Sequence, residues 1–177
     1  MAINDVDPTT LILRVADVLE KEKLVDAPVW SQFAKSGVSR DRPPAQANWW
    51  YIRSAAILRK LYLKGPIGTE KLRTYFGGLK NRGVKPEHFF AAGGNHIRKI
   101  LQQLEKSGLA KKTEVHGYKG RIITPKGQQL LESVASQFAK PLPKAQPKAV
   151  EPKAEKSEAE PKKKRVTKKK AKEDGKE

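Results

Sequence analysis

The stretch Ser39–Lys64, SRDRPPAQANWWYIRSAAILRKLYLK, decides how the rest of this chain is read. Two prolines and three successive aromatics lead there into a basic helix. Beyond Asn48 the spacing predicts a helix, because Tyr51, Ala55, Leu58 and Tyr62 recur at i, i+4, i+7 and i+11 and make one apolar stripe. On the same wheel Trp49, Arg53, Lys60 and Lys64 lie well away from that stripe, giving the helix a second, cationic face flanked by an aromatic. Such a face either stays solvated, as most helical lysines and arginines do, or meets phosphate.

Charge favours the second reading. The chain has 177 residues, 37 Lys and Arg against 19 Asp and Glu, and a formal net charge of +18. That excess points to a polyanionic partner rather than a small-molecule substrate. It is unevenly spread: −2 over residues 1–39, +10 over 40–99, +3 over 100–139 and +7 over 140–177. The largest surplus therefore falls inside the part expected to fold, where a solubilising tail cannot account for it.

Working outward, Asp7-Pro8 is a helix start, a capping carboxylate followed by proline at the first helical position. A helix to about Lys23 should bury Leu11, Val15, Val18 and Leu19. Pro28–Ser36 reads as a short second helix with Trp30, Phe33 and Ala34 inward and Gly37 as its stop. After the central helix ends at Gly65-Pro66, Thr69 should cap a third helix with Leu72, Tyr75 and Phe76 apolar, closed by Gly77-Gly78. From Leu79 to Gly94 no period persists, and the segment reads as a long ordered basic loop. Its Phe89 and Phe90 could stack on bases, although for at least one of them anchoring the loop to the core is the preferred role.

Asn95–Ser107 reads as a helix with Ile97, Ile100, Leu101 and Leu104 inward. Arg98 and Lys99 in its first turn oppose the helix dipole, a cost that an anion at the Gly94 and Asn95 N–H groups would offset. Leu109–Val115 and Arg121–Thr124, joined by HGYKG, should form a hairpin. Thr124-Pro125 then opens a last helix, with Leu130, Leu131, Val134 and Phe138 inward, packed against the first. The order of elements is that of a winged helix-turn-helix: a mainly α, winged-helix-like domain over residues 1–139, with a small β-hairpin wing and extra terminal helices. Residues 140–177 repeat Pro-Lys without aromatics and should form a disordered basic tail. Its PKKKRV has the form of a nuclear import signal, as lysine-rich runs often do.

Several chemistries are excluded. There are no cysteines, the three histidines lack ligand spacing, and no phosphate-cradling glycine motif is present. The three carboxylates in residues 40–99 form no acid–base pair. The chain is therefore expected to be no enzyme, to carry no cofactor or metal, to take no small-molecule substrate and to cross no membrane.

Four separated runs then coincide with one family: NWWYIRSAAILRKLYLKGPIG, FGGLKNRGVKPEHF, RKILQQLEKSGL and GRIITPKGQQL. Together they resemble the small-subunit ribosomal protein nineteen of the archaeal and eukaryotic type, over about residues 5 to 138. The resemblance implies a cytoplasmic, ribosome-bound structural component in the head of the small subunit. It would contact small-subunit ribosomal RNA and neighbouring ribosomal proteins and support subunit maturation and translation. The resemblance also implies an RNA-facing surface of Trp49, Arg53, Arg59, Gly77, Gly78, Arg82, Gly83, Arg98 and Lys99; Arg59 rests on the resemblance alone, since the wheel puts it off the cationic face. Phe76 and Gly93 depart from the family's usual tyrosine and serine. Arg40, Arg42, Trp50, Lys60, Lys64, Lys80, Asn81 and Lys85 complete the expected RNA-binding set. The alternative is a winged-helix DNA-binding transcription regulator, using the 95–107 helix in the major groove.

Overall fold

The structure, a computed structural model, describes residues 3–115 and 117–138, without the side chains of Tyr118 and Phe138. The tail expected over 140–177, His116 and the inward Phe138 side chain lie outside the described residues. Among those described, no helix is long and apolar enough to cross a membrane.

Helix α1 spans Pro8–Lys21. Asp7 caps it as expected, its Oδ2 accepting from the Thr10 N–H at 2.8 Å and from the Thr10 hydroxyl at 2.9 Å. Helix α2, Trp49–Lys64, runs beside α1 and carries the centre of the core. Its buried face is Trp50, Ser54, Ile57, Leu58 and Leu61, with Ala55 and Trp49 at the margin. That face is turned from the expected stripe, and Tyr51 and Tyr62 are only half-buried. A polar residue sits in the middle of it without cost, because the Ser54 hydroxyl donates to the Trp50 carbonyl at 2.8 Å.

Three sequence expectations are corrected between residues 28 and 90. The segment expected as a helix over Pro28–Ser36 is a single 3-10 turn, Val29–Gln32. One turn offers one inward position, and Ser31 takes it, leaving Phe33 76% and Trp30 37% exposed. Helix α3 is Thr69–Tyr75, and its N-cap is Gly68 rather than Thr69. The expected loop after it is a β-hairpin, β1 Gly78–Arg82 paired antiparallel with β2 Lys85–Phe90. Its turn is built by Asn81, whose side-chain oxygen accepts from the Gly83 N–H at 2.8 Å, with Gly83 in the left-handed region at φ 70°. Nearly every residue of this ribbon is exposed on both faces, so no apolar alternation marks it in the sequence.

Helix α4, Gly94–Lys106, buries Ile97, Ile100, Leu101 and Leu104, each worth about 2 kcal/mol of burial. It leads into the wing, β3 Ala110–Val115 paired with β4 Tyr118–Ile123; β4 starts three residues earlier than the sequence suggested and shortens the turn. Ile67 bridges Arg121 on the outer side of β4, the place of a third wing strand. Glu105 of α4 ties both strands, accepting from Arg121 Nε and lying 3.8 Å from Lys112 Nζ. Helix α5, Pro125–Phe138, packs back on α1 as expected. Its start is fixed by the Thr124 hydroxyl, which donates to the Gly108 carbonyl at 2.6 Å. The result is a mainly α, winged-helix-like fold with a second hairpin inserted between α3 and α4.

Candidate nucleic-acid interface

The tryptophans are the first surprise. Trp49 and Trp50, expected at an RNA-facing surface, are 7% and 0% exposed. They belong to an edge-to-face chain: Trp30 to Trp50 at 5.5 Å, Trp50 to Trp49 at 5.4 Å, Trp49 to His96 at 6.1 Å between ring centroids. The Trp50 indole N–H donates to Gln103 Oε1 at 3.0 Å, and Gln103 Nε2 donates to the Asp26 carbonyl at 2.6 Å. A ring so enclosed is satisfied internally and cannot stack on a base. The pair instead fixes the start of α2 against α4, and so sets where Arg53, one turn further on, emerges.

His96 ends that chain in a tight place: a Cβ at Gly93 would come within 2.9 Å of its Cε1. It is 4% exposed, and its Nε2 is buried without a hydrogen-bond partner. Burial, and secondarily the Arg53 charge, push its pKa down to about 4, so it is neutral at physiological pH.

Arg53, Lys60 and Lys64 form one row along α2, as the wheel predicts. Their shared feature is a neighbour from α3. The Arg53 guanidinium lies 4.3 Å from the Phe76 ring centroid, while Lys60 Nζ and Lys64 Nζ lie 4.5 and 4.8 Å from that of Tyr75. Each cation is thus laid on an aromatic face. Arg53 is half-buried, and its Nη1 is enclosed without a hydrogen-bond partner. Burial, then the nearby Arg40 charge, lower its pKa. Two cations held close together repel, and an anion placed beside them would offset that cost. Arg53 also lines a hollow of about 390 Å³ with Thr9, Leu13, Pro44, Gln46, Ile52 and Phe76 among its other walls.

The remaining expected residues fall in three places. Arg40 and Arg42 are exposed in the segment leading to α2. Gly77, Gly78, Lys80, Asn81, Arg82, Gly83 and Lys85 make the β1–β2 ribbon and its root. There Arg82 is steadied by donating from Nε to the Pro86 carbonyl at 2.9 Å. Gly77 has no room for a side chain, since a Cβ would lie 2.6 Å from both the Phe89 ring and the Phe90 carbonyl. The Phe89 ring packs on the root of the ribbon at Gly77 but stays 44% exposed, so it does not anchor the ribbon in the core as the sequence suggested for at least one of the two phenylalanines. Arg98 and Lys99 are exposed on α4, but Lys99 lines a different hollow from Arg53, with Trp30, Gln102 and Lys106. Arg59 is half-buried off the cationic row, within electrostatic reach of Asp7. Its Nε, too, is enclosed without a hydrogen-bond partner.

Sequence reasoning missed Tyr75, read only as an apolar face of α3, and Arg73. Arg73 donates to the Ala92 carbonyl at 3.0 Å and pairs with Glu70 at 2.8 Å, tying α3 to the return of the ribbon. A Tyr-Phe pair directly before Gly-Gly, opposite a helix with cations every turn or two, was the available signal.

Residues 2–141 match the family model described as ribosomal protein S19e. The small ribosomal subunit protein eS19 of Aeropyrum pernix is 50% identical over 145 residues, 81% of this chain and 93% of that protein. The small ribosomal subunit protein eS19G of Ascaris suum is 39% identical over 77% of this chain and 91% of its own length. The eS19 of Thermoplasma volcanium is 35% identical over 83% and 95% respectively.

Proposed function

From the premise that this chain belongs to the ribosomal protein S19e family, we propose that it is a structural component of the small ribosomal subunit, binding small-subunit ribosomal RNA in the head. In that place it supports subunit maturation and translation in the cytoplasm, beside other ribosomal proteins. The observation that carries the RNA contact is the row of Arg53, Lys60 and Lys64 laid on Phe76 and Tyr75. No carboxylate is among the residues lining the Arg53 hollow. A family of ribosomal proteins, rather than of enzymes or regulators, favours RNA over the DNA-groove alternative. The β1–β2 ribbon supports the same reading: a two-stranded hairpin with both faces exposed has little stability of its own and gains a second layer only from a partner. Arg40, Arg42, Lys80, Arg82 and Lys85 supply its phosphate contacts, and Arg98 and Lys99 supply others from α4. Trp49 and Trp50 act from inside, by placing α2.

Sedimentation of lysate tests the assignment: the protein should travel with the small-subunit peak at low salt, and its persistence in the free fraction while other ribosomal proteins pellet would refute it. Arg53→Ala should weaken binding to subunits lacking this protein by roughly 1.5 to 3 kcal/mol, the worth of a charge-assisted contact. Unchanged affinity would remove Arg53 from the interface.

A further inference from the structure

We propose that Tyr75 and Phe76 are positioning residues: they hold Lys60, Lys64 and Arg53 in a single row that accepts the sugar-phosphate backbone of one RNA strand running along α2. This rests on the RNA-binding reading above and adds to it which groups organise the cations and how the strand lies.

A surface lysine samples many rotamers, and ordering it against a phosphate costs conformational freedom at the moment of binding. Here both lysines share one ring. The Nζ atoms of Lys60 and Lys64, one helical turn apart on α2, lie 4.5 and 4.8 Å from the centroid of that one Tyr75 ring. That arrangement brings two like charges together, and the ring offsets part of their repulsion. Phe76 does the same for Arg53 at 4.3 Å. Because α3 ends at Tyr75, with Phe76 as its C-cap, the two rings follow one another along the chain. The row they organise has axial spacings of about 10 Å from Arg53 to Lys60 and about 6 Å from Lys60 to Lys64. A linear series of cations in line with a helix axis suits a linear polyanion, and a compact anion could meet only one end of it.

Tyr75 is also the residue whose exposure makes the idea testable. At 37% exposed it lies outside the buried core, so Leu in its place should leave the fold intact. Its hydroxyl is held below the ordinary tyrosine pKa by a hydrogen bond from Lys64 and by the Lys64, Lys60 and Lys71 charges. The ring, rather than that hydroxyl, is assigned the role, and Tyr75→Phe separates the two.

The experiment measures affinity of the full chain for purified small-subunit ribosomal RNA and for a shuffled RNA of equal length, across a salt series. Tyr75→Leu should weaken binding to the ribosomal RNA roughly three- to tenfold while leaving the log-log salt slope unchanged, since the same phosphates are still met by less ordered lysines. Lys60→Ala should instead reduce the slope by about 0.7 to 0.9. Tyr75→Phe should stay within about twofold of the parent, because the ring face is kept. Introduced into Lys60→Ala/Lys64→Ala, Tyr75→Leu should add nothing. A full additional loss in that background would overturn the proposal, because Tyr75 would then touch the RNA itself or act through stability. Parental affinity in Tyr75→Leu would overturn it equally. Phe76→Leu against Arg53→Ala repeats the cycle at the other end of the row, with Phe76→Tyr as the conservative control and a thermal melt beside it. A parent chain showing no preference for ribosomal over shuffled RNA would instead remove the RNA reading itself, before any variant is compared.

Discussion

Gly127→Ala sets two physical effects against each other, and the structure decides between them. Gly127 lies buried in the first turn of α5, and alanine in a helix is favoured over glycine by about 1 kcal/mol. By propensity alone the substitution should stabilise. A Cβ there, however, would stand 2.6 Å from the Leu109 carbonyl oxygen and 2.8 Å from Ile123 Cγ1. Neither neighbour is free to retreat. The Leu109 oxygen accepts from the Thr124 N–H at 3.0 Å, and Ile123 is a buried residue of β4 paired with Ala110. Relief requires α5 to lift from the wing, which also strains the Thr124–Gly108 contact of 2.6 Å. Overpacking of this kind costs about 3 kcal/mol, at the upper end of the usual range because one partner is backbone. The expected net loss is about 2 kcal/mol, a fall in melting temperature of roughly 5 to 10 °C for a domain of this size. Urea unfolding followed by far-UV circular dichroism gives the free energy, with an unchanged m-value showing that the change is in stability alone. An increase in midpoint would mean that α5 can shift without penalty and that the contact with the wing does not hold it.

Stability should depend on His96 below neutral pH. Its pKa is depressed in the fold, so the unfolded chain takes the proton first as pH falls; stability is full above about 6.5 and is lost down to about 4, by some 2 to 3 kcal/mol. Replacing His96 by Leu should flatten the unfolding free energy over that window, and a slope that survives would place its source elsewhere. Glu105→Ala should cost about 2 to 4 kcal/mol by leaving the Arg121 guanidinium enclosed without its carboxylate, whereas Lys112→Ala, at the exposed end of the same cluster, should change stability by less than about 0.5 kcal/mol in the same urea titration. Truncation after Ala139 removes 14 basic side chains. It should shallow the salt dependence of RNA binding by about 0.9 or less per lost phosphate contact while keeping the preference for ribosomal RNA; loss of that preference would make the tail a recognition element.

The parts of the fold legible in the sequence are those where local chemistry and burial agree. Asp7-Pro8 announces α1, Thr124-Pro125 announces α5, and the four apolar positions expected inward on α4 are all buried. In α2 the wheel found the cationic row but set the core stripe off-centre, because Ser54 breaks the apolar run and meets its own need through the Trp50 carbonyl. The two tryptophans were misplaced for a different reason. Nothing within one helix can reveal that Trp30, Gln103 and His96 close over them from other segments. The β1–β2 ribbon was invisible because periodicity records burial, and this ribbon has almost none. Tyr75 was missed because an aromatic that half covers a neighbouring helix looks, in sequence, like any core residue.

The chain's three tryptophans are Trp30, Trp49 and Trp50, and all three stand in one edge-to-face series. Indoles 5.4 and 5.5 Å apart exchange excitation faster than they emit, so they behave as one chromophore with one shared emission. That chromophore touches His96 at one end and precedes Arg53 by a single turn. The native fluorescence is therefore a site-specific signal without any label: it reports events at the head of α2 and is nearly blind to the wing and α5. A ligand that quenches it has reached the head of α2 or the Trp30 hollow, and one that binds silently has docked elsewhere.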